Sequence, residues 1–141
     1  MPMILTAELK RALAELPEEV FVTRSAAHLR REHPELIAGL DDATLEARVR
    51  ASFARARACG ITWRRNLLCF AGLSLLIAPR FDEHPPIRRI LHDANTDPED
   101  RLDHAVRVTT ESDWEAAKAS PALADWGDAV ESSTSPDPPA R

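Results

Sequence analysis

Apolar residues recur along this chain at helical spacing, and no stretch shows the alternation of a half-buried strand. Leu5, Leu9, Leu13 and Leu16 share one narrow stripe. Thr6 can cap a first helix over them, running to about Leu16, where Pro17 ends it. A second helix is expected from Pro17 to about Glu32, with Phe21, Val22, Ser25, Ala26 and Leu29 on its inner arc. His33-Pro34 stops it, because the residue before a proline avoids the helical region. Residues 34–40 read as a connector or a short helical turn. Asp41 and Asp42 supply the start of a third helix reaching Cys59, with Leu45, Val49, Phe53 and Ala56 as its stripe. Gly60 then stands where a helix stop wants a left-handed residue, and apolar Ile61 follows it, as in a Schellman motif.

Thr62 begins the next helix. From Leu67 to Ile77 it is apolar nearly all round, which predicts a central, fully surrounded element that Pro79 closes. Phe81 to Pro86 reads as an irregular link. Ile87, Ile90 and Leu91 mark a short helix ending near Asp93. Asp97-Pro98-Glu99-Asp100 is the clearest start signal, a cap followed by proline at the first helical position. Leu102, Ala105 and Val106 are expected to face inward from that helix. Ser112-Asp113-Trp114-Glu115 fits a capping box, and Ser120-Pro121 can open one more turn through Trp126. The expected architecture is a single all-α domain over residues 1–127, with six or seven helices around one apolar helix. Residues 128–141, made largely of Ser, Thr, Asp and Pro, are expected to be a disordered tail.

Composition narrows the class without revealing chemistry. A chain of 141 residues has room for one ordinary core, and 44% hydrophobic with 29% charged residues is normal for a globular protein. The net charge of −5 opposes general nucleic-acid binding. The charge is unevenly spread: residues 1–80 are net positive and residues 81–141 net negative, so the two ends can meet different partners. The start lacks a signal-peptide pattern, and the longest apolar stretch, Leu67 to Ala78, is too short to span a membrane, so a cytoplasmic protein is expected. Cys59 and Cys69 fall in stretches that read as buried helix, with no zinc spacing around them. No disulfide, metal or cofactor is expected.

Most of the basic residues are arginines, which suit interfaces because the guanidinium fork pairs two-pronged with carboxylates. On the third helix Arg48 and Arg55 flank one side of the apolar stripe and Arg50 and Arg57 the other, with Arg64 and Arg65 just beyond the Gly60 turn. Together with Trp114 and Trp126, these six are the candidate partner-binding residues. Paired basic rails could instead track phosphates, which makes a small nucleic-acid binder the first alternative. Asp82, His84, His92 and Asp93 are the only cluster with acid–base or metal-capable side chains. A small helical enzyme or metal-binding protein using this 82–93 cluster is the second alternative, although its spacing matches no ligand motif. The favoured expectation is a non-catalytic protein-interaction module.

One set of residues resembles a known group. Ala56-Arg57-Ala58-Cys59-Gly60-Ile61-Thr62 precedes the apolar helix, and Ala78-Pro79-Arg80-Phe81-Asp82 follows it. Then come Pro85 or Pro86, Ile90-Leu91, the Asp97 cap, Arg101-Leu102 and Trp114. The pattern, over about residues 20–116, resembles small all-helical proteobacterial proteins encoded beside type VI secretion or polymorphic-toxin components. The resemblance implies an accessory role, as adaptor, chaperone or immunity-type binder. Its motifs are structural punctuation and transfer no functional residue.

Overall fold

The computed structural model describes residues 16–126, which form seven α-helices and two 3-10 turns; no strand occurs among the described residues. The expected first helix, Thr6 to Leu16, lies outside them but for Leu16, and the expected tail, 128–141, lies outside them entirely. The helices are α1 (Glu18–Glu32), α2 (Pro34–Ile37), α3 (Asp42–Ala58), α4 (Arg64–Leu76), α5 (Pro85–Leu91), α6 (Pro98–Val108) and α7 (Glu111–Ala119). The 3-10 turns are Phe81–Glu83, inside the stretch expected to be irregular, and Pro121–Leu123. None of the helices among the described residues is long and apolar enough to cross a membrane.

Local signals set most boundaries. The Asp41 carboxylate accepts from the Thr44 N–H at 2.8 Å and starts α3. Gly60, at φ 89°, ends it: Ile61 N–H donates to the Ala56 carbonyl at 3.1 Å and Gly60 N–H to the Arg57 carbonyl at 2.9 Å, both bonds of a Schellman stop. Asp97 caps α6 by accepting from Glu99 N–H, with Pro98 at the first helical position. At α7 the expectation fails by two residues. Thr110, not Ser112, takes the extended cap conformation and accepts from Asp113 N–H, so the operative pattern is T-x-x-D rather than S-x-x-E.

The start of α4 is capped from elsewhere in the chain. Trp63 occupies the cap position but its side chain caps nothing. The Glu99 carboxylate, at the start of α6, accepts from Thr62 N–H (2.7 Å), Thr62 Oγ1 (2.9 Å) and Trp63 N–H (3.2 Å). These N–H groups would otherwise lack a partner at a helix start.

Contacts fix the directions of the helices. Arg57 at the end of α3 pairs with Glu18 at the start of α1, and Asp42 at the start of α3 pairs with Arg30 near the end of α1, so the two run antiparallel. Arg64, which opens α4, lies 4.7 Å over the Phe21 ring near the start of α1, while Leu29 lies beside Gly72 late in α4. Thus α1 and α4 run the same way, and the Glu99 link sets the start of α6 against the start of α4. The core between them is an aromatic line: Phe21 stacks on Phe53 at 4.9 Å, and Phe81 meets Phe70 at 4.8 Å and Trp114 at 6.1 Å. Each large apolar side chain buried here contributes about 1.5–3 kcal/mol.

The expected stripes of α1 and α3 are buried throughout, as are Ile87, Leu91, Leu102 and Ala105. Two expectations need correction. The Leu67–Ile77 helix is central but not surrounded: Leu67, Leu68, Phe70, Ala71 and Ser74 are buried, yet Leu76 is 39% exposed and Cys69, Leu73 and Leu75 are half-buried. Val106, expected inward, is 49% exposed. Both have one cause. The starts of α4 and α6 are bound together through Glu99, but further along no described element fills the space beside them.

Arg101 organises the irregular backbone around α6. Its Nη1 donates to the carbonyls of Cys59 and Leu91, and its Nε to that of Thr96.

Candidate functional site

The open side of α4 is a groove of about 410 Å³. Its floor is one face of α4, carrying Arg65, Asn66, Cys69, Gly72, Leu73 and Leu76. These positions recur every three or four residues, so they share a side of the helix. Leu102, Asp103 and Val106 of α6 form one wall, and His33, just past the end of α1, closes the far end. The centre is apolar, with Leu73, Leu76 and Val106 partly open to solvent. Arg65, Asp103 and His33 stand at the margin. An apolar trough with a sparse polar rim is the usual geometry for receiving an amphipathic helix.

The two cysteines differ. Cys59 is buried, and burial with the nearby Asp82 charge pushes its thiol up to about 11. Its Sγ lies 3.8 Å from His92 Nε2. Cys69, on the groove floor, is only half-buried, although desolvation still raises its pKa. Both are free thiols.

The arginines expected to meet a partner engage the chain itself. Arg50 donates to Glu19 at 2.6 Å, and Arg57 makes a two-pronged contact with Glu18 at 3.0 and 3.1 Å. This flank of α3 is therefore a clamp onto α1. The Arg57 hydrogen bond is the main reason the Glu18 carboxyl lies below its ordinary value. On the other flank, Arg55 forks onto Asp82 with two 3.0 Å bonds and reaches Glu83 at 2.6 Å. Arg48 lies 5.2 Å over the Trp126 ring. Arg64 donates to the Leu16 carbonyl and to Glu18. Of the six, Arg65 alone lines the groove. Trp114 packs against the core beside Phe81, and Trp126 is partly covered by Arg48.

The 82–93 cluster does not converge. Asp82 is buried and committed to Arg55. Asp93 accepts from Asn95 N–H and Thr96 Oγ1, each at 2.9 Å, and these bonds hold its carboxyl below the ordinary value. Among the described residues no group of three or more His, Cys, Asp or Glu side chains could hold a metal ion. No family model, no curated protein and no solved structure matches this chain.

The groove does not follow from the sequence pattern alone. Leu73, Leu76 and Val106 each lie in an apolar helical pattern, which reads as core. The one signal of an open face is a mismatch: α4 is apolar on every side, whereas α6 offers it only the short Leu102–Ala105–Val106 face. Trp63, 60% exposed at the head of α4, likewise reads in sequence only as the start of a core helix.

Proposed function

We propose that this protein is a non-catalytic docking module whose groove on α4 receives an amphipathic helix of a partner protein. The observation that carries the reading is the open pair Leu76 and Val106, flanking an apolar trough of about 410 Å³ while most of the candidate arginines bind the chain's own groups. Burying apolar anchors there drives association, at about 25 cal/mol per Å² of apolar surface removed from water. Arg65 and Asp103 on the rim select register and direction through opposite charges. The resemblance to proteins encoded beside secretion and toxin components supports an accessory role in such a system, as adaptor, chaperone or immunity-type binder.

The test compares two full-length variants isolated from the native host. Leu76→Glu with Val106→Glu should lose the co-purifying partner while keeping the far-ultraviolet circular dichroism of the wild type. Lys118→Glu, on exposed α7 away from the groove, should keep it. A partner retained by the groove variant would overturn the reading.

A further inference from the structure

We propose that Arg48, Arg80 and Trp126 form a second binding site, which takes a phosphate dianion, either free or as a monoester. None of the three lines the groove on α4, so the site goes beyond the docking reading and does not depend on it. The observation that carries it is an imbalance among the half-buried arginines. Arg30 binds Asp42 and two backbone carbonyls, and Arg55 binds Asp82 and Glu83. Arg64 binds Glu18, and Arg101 binds the carbonyls of Cys59, Leu91 and Thr96. The side chains of Arg48 and Arg80 have no hydrogen bond or ion pair among the described residues, and the Nε of each is buried. A cation partly withdrawn from water costs free energy unless an acceptor or an opposite charge meets it.

Tethers at both ends bring the two arginines together. Arg48 and Arg55 lie seven residues apart on α3, roughly 10 Å along one flank. Arg55 Nε holds Asp82 at 3.0 Å, which fixes the turn Phe81–Glu83 at one end of that flank. At the other end Arg48 lies 5.2 Å over the Trp126 ring. Arg80 connects the two ends. Its carbonyl accepts from Glu83 N–H at 2.9 Å, and its N–H donates at 3.0 Å to the carbonyl of Leu123, three residues before Trp126. Residues 80–83 and 121–126 therefore lie along one flank of α3 and meet at Arg80. Ser52, between Arg48 and Arg55 on the same flank, is 1% exposed, and its Oγ also lacks a partner among the described residues.

Charge selects the ligand. The acids of the adjoining turn, Asp82 and Glu83, are already held by Arg55 and do not neutralise Arg80. Two guanidiniums thus present two positive charges. A carboxylate balances one of them, whereas a phosphate monoester carries about −1.5 to −2. Geometry agrees. The attraction of Arg48 to the face of Trp126 uses the cation's charge and leaves its N–H donors free for oxygen acceptors. With both Nε atoms buried, the Nη groups are the donors that meet phosphate oxygens from outside, and charge-assisted bonds of this kind are strong. A phosphodiester carries a single charge and matches the pair less well. The bound dianion would join α3 to the 121–126 segment through Arg48 and Arg80.

The test follows thermal unfolding of the full-length protein at about pH 8, in inorganic phosphate and in sodium chloride of equal ionic strength. A ligand that binds only the folded state raises the melting temperature with its concentration, which yields an apparent dissociation constant. The wild type should show such a rise. Arg48→Gln and Arg80→Gln should each weaken the apparent affinity at least about tenfold, as expected when a charge-assisted hydrogen bond is lost. Arg24→Gln removes the same charge from an exposed position on α1 and should leave the affinity unchanged. If Arg80→Gln loses the circular dichroism of the wild type, Arg48→Gln decides alone. Methyl phosphate separates the two sources of the dianion. Affinity equal to that of inorganic phosphate assigns the site to monoesters, and affinity at least about tenfold lower assigns it to free phosphate. Dimethyl phosphate, a singly charged diester, should bind at least about tenfold more weakly than inorganic phosphate.

No rise in the wild type would overturn the proposal. So would an equal rise in the wild type, Arg48→Gln and Arg24→Gln, which would reduce the effect to the general stabilisation that phosphate gives folded proteins. Dimethyl phosphate bound as tightly as inorganic phosphate would overturn it too, by assigning the arginines to a nucleic-acid backbone. None of these outcomes bears on the co-purification comparison of Leu76→Glu with Val106→Glu, so failure of the phosphate site and failure of the docking function are distinguishable.

Discussion

Asn66 Nδ2 donates both to the Glu99 backbone carbonyl, at 2.9 Å, and to the Glu99 carboxylate, at 2.8 Å. One amide thereby joins the starts of α4 and α6, and the same carboxylate caps α4. Glu99→Ala should cost about 1–2 kcal/mol, the range for loss of a helix cap, with Glu99→Gln in between. Burial pushes the Glu99 carboxyl up, but hydrogen bonds from Thr62, Asn66 and Trp63 outweigh it and leave the group below its ordinary value of 4.5. A carboxyl lowered in the folded state stabilises fully above its unfolded pKa and loses that contribution as pH falls through the folded one. Thermal melts of wild type and Glu99→Gln should therefore differ near neutrality and converge in acid below about pH 4.

Arg55 and Asp82 form the most buried of the ion pairs described. Removing one partner of a buried pair strands the other's charge, which costs about 3–5 kcal/mol, whereas replacing both by apolar residues is often neutral. Arg55 keeps part of its solvent contact and Glu83 also binds it, so Arg55→Leu should cost about 2–4 kcal/mol in urea unfolding. Arg55→Leu with Asp82→Leu should recover at least half of that loss. An additive double variant would show that the pair is not coupled.

Much of the fold is legible in the sequence wherever the signal is local. Asp41 with Thr44, Gly60 with Ile61, and Asp97 with Pro98 act within a few residues, and the stripes of α1 and α3 follow from spacing alone. The illegible parts are partnerships across the chain. Nothing near Thr62 announces that Glu99, 37 residues away, will cap it. The arginine rails are visible in the sequence, but Glu18, Glu19 and Asp82 as their acceptors are not, because pairing across helices depends on packing. Val106 shows the same limit from the apolar side: periodicity says which face a residue occupies, not whether another element covers it.

Gly60→Ala should destabilise by about 1–2 kcal/mol, since a left-handed conformation costs a residue with a Cβ about that much. The surroundings add to it, because the new Cβ would stand 3.2 Å from Pro98 Cβ. At Gly39 a new methyl would meet nothing within 4 Å, which makes this position an internal control: Gly39→Ala should change the urea midpoint far less.

Leu67 and Leu76, nine residues apart on α4, should respond oppositely. Leu67 is fully buried, so Leu67→Ala should cost about 2–5 kcal/mol by leaving a cavity. Leu76→Ala should stay within about 1 kcal/mol, because the residue is already partly hydrated and can relax. Chemical denaturation of the two variants checks the contrast. An equal loss would mean that the α4 face carrying Leu76 is closed.

Cys59, with its thiol at about 11, should be almost wholly protonated at pH 8 and unreactive toward Ellman's reagent until the protein unfolds. Raising the pH toward 11 should increase its thiolate fraction at each step. Rapid labelling of Cys59 at pH 8 in the native state would contradict its burial.

Arg101 has a wider meaning than the loops it steadies. Two of the carbonyls it binds, those of Cys59 and Leu91, lie at the C-terminal ends of α3 and α5, where a helix concentrates partial negative charge. Two negative helix poles therefore converge on one cation, which offsets the repulsion that would otherwise drive them apart. Neutral Gln could offer its amide N–H groups but not the positive charge that offsets both poles. Lysine could supply the charge but not the planar fork that also reaches the Thr96 carbonyl through Nε while Nη1 holds both poles. The chain thus brings these two helix ends together around a guanidinium that stands between them.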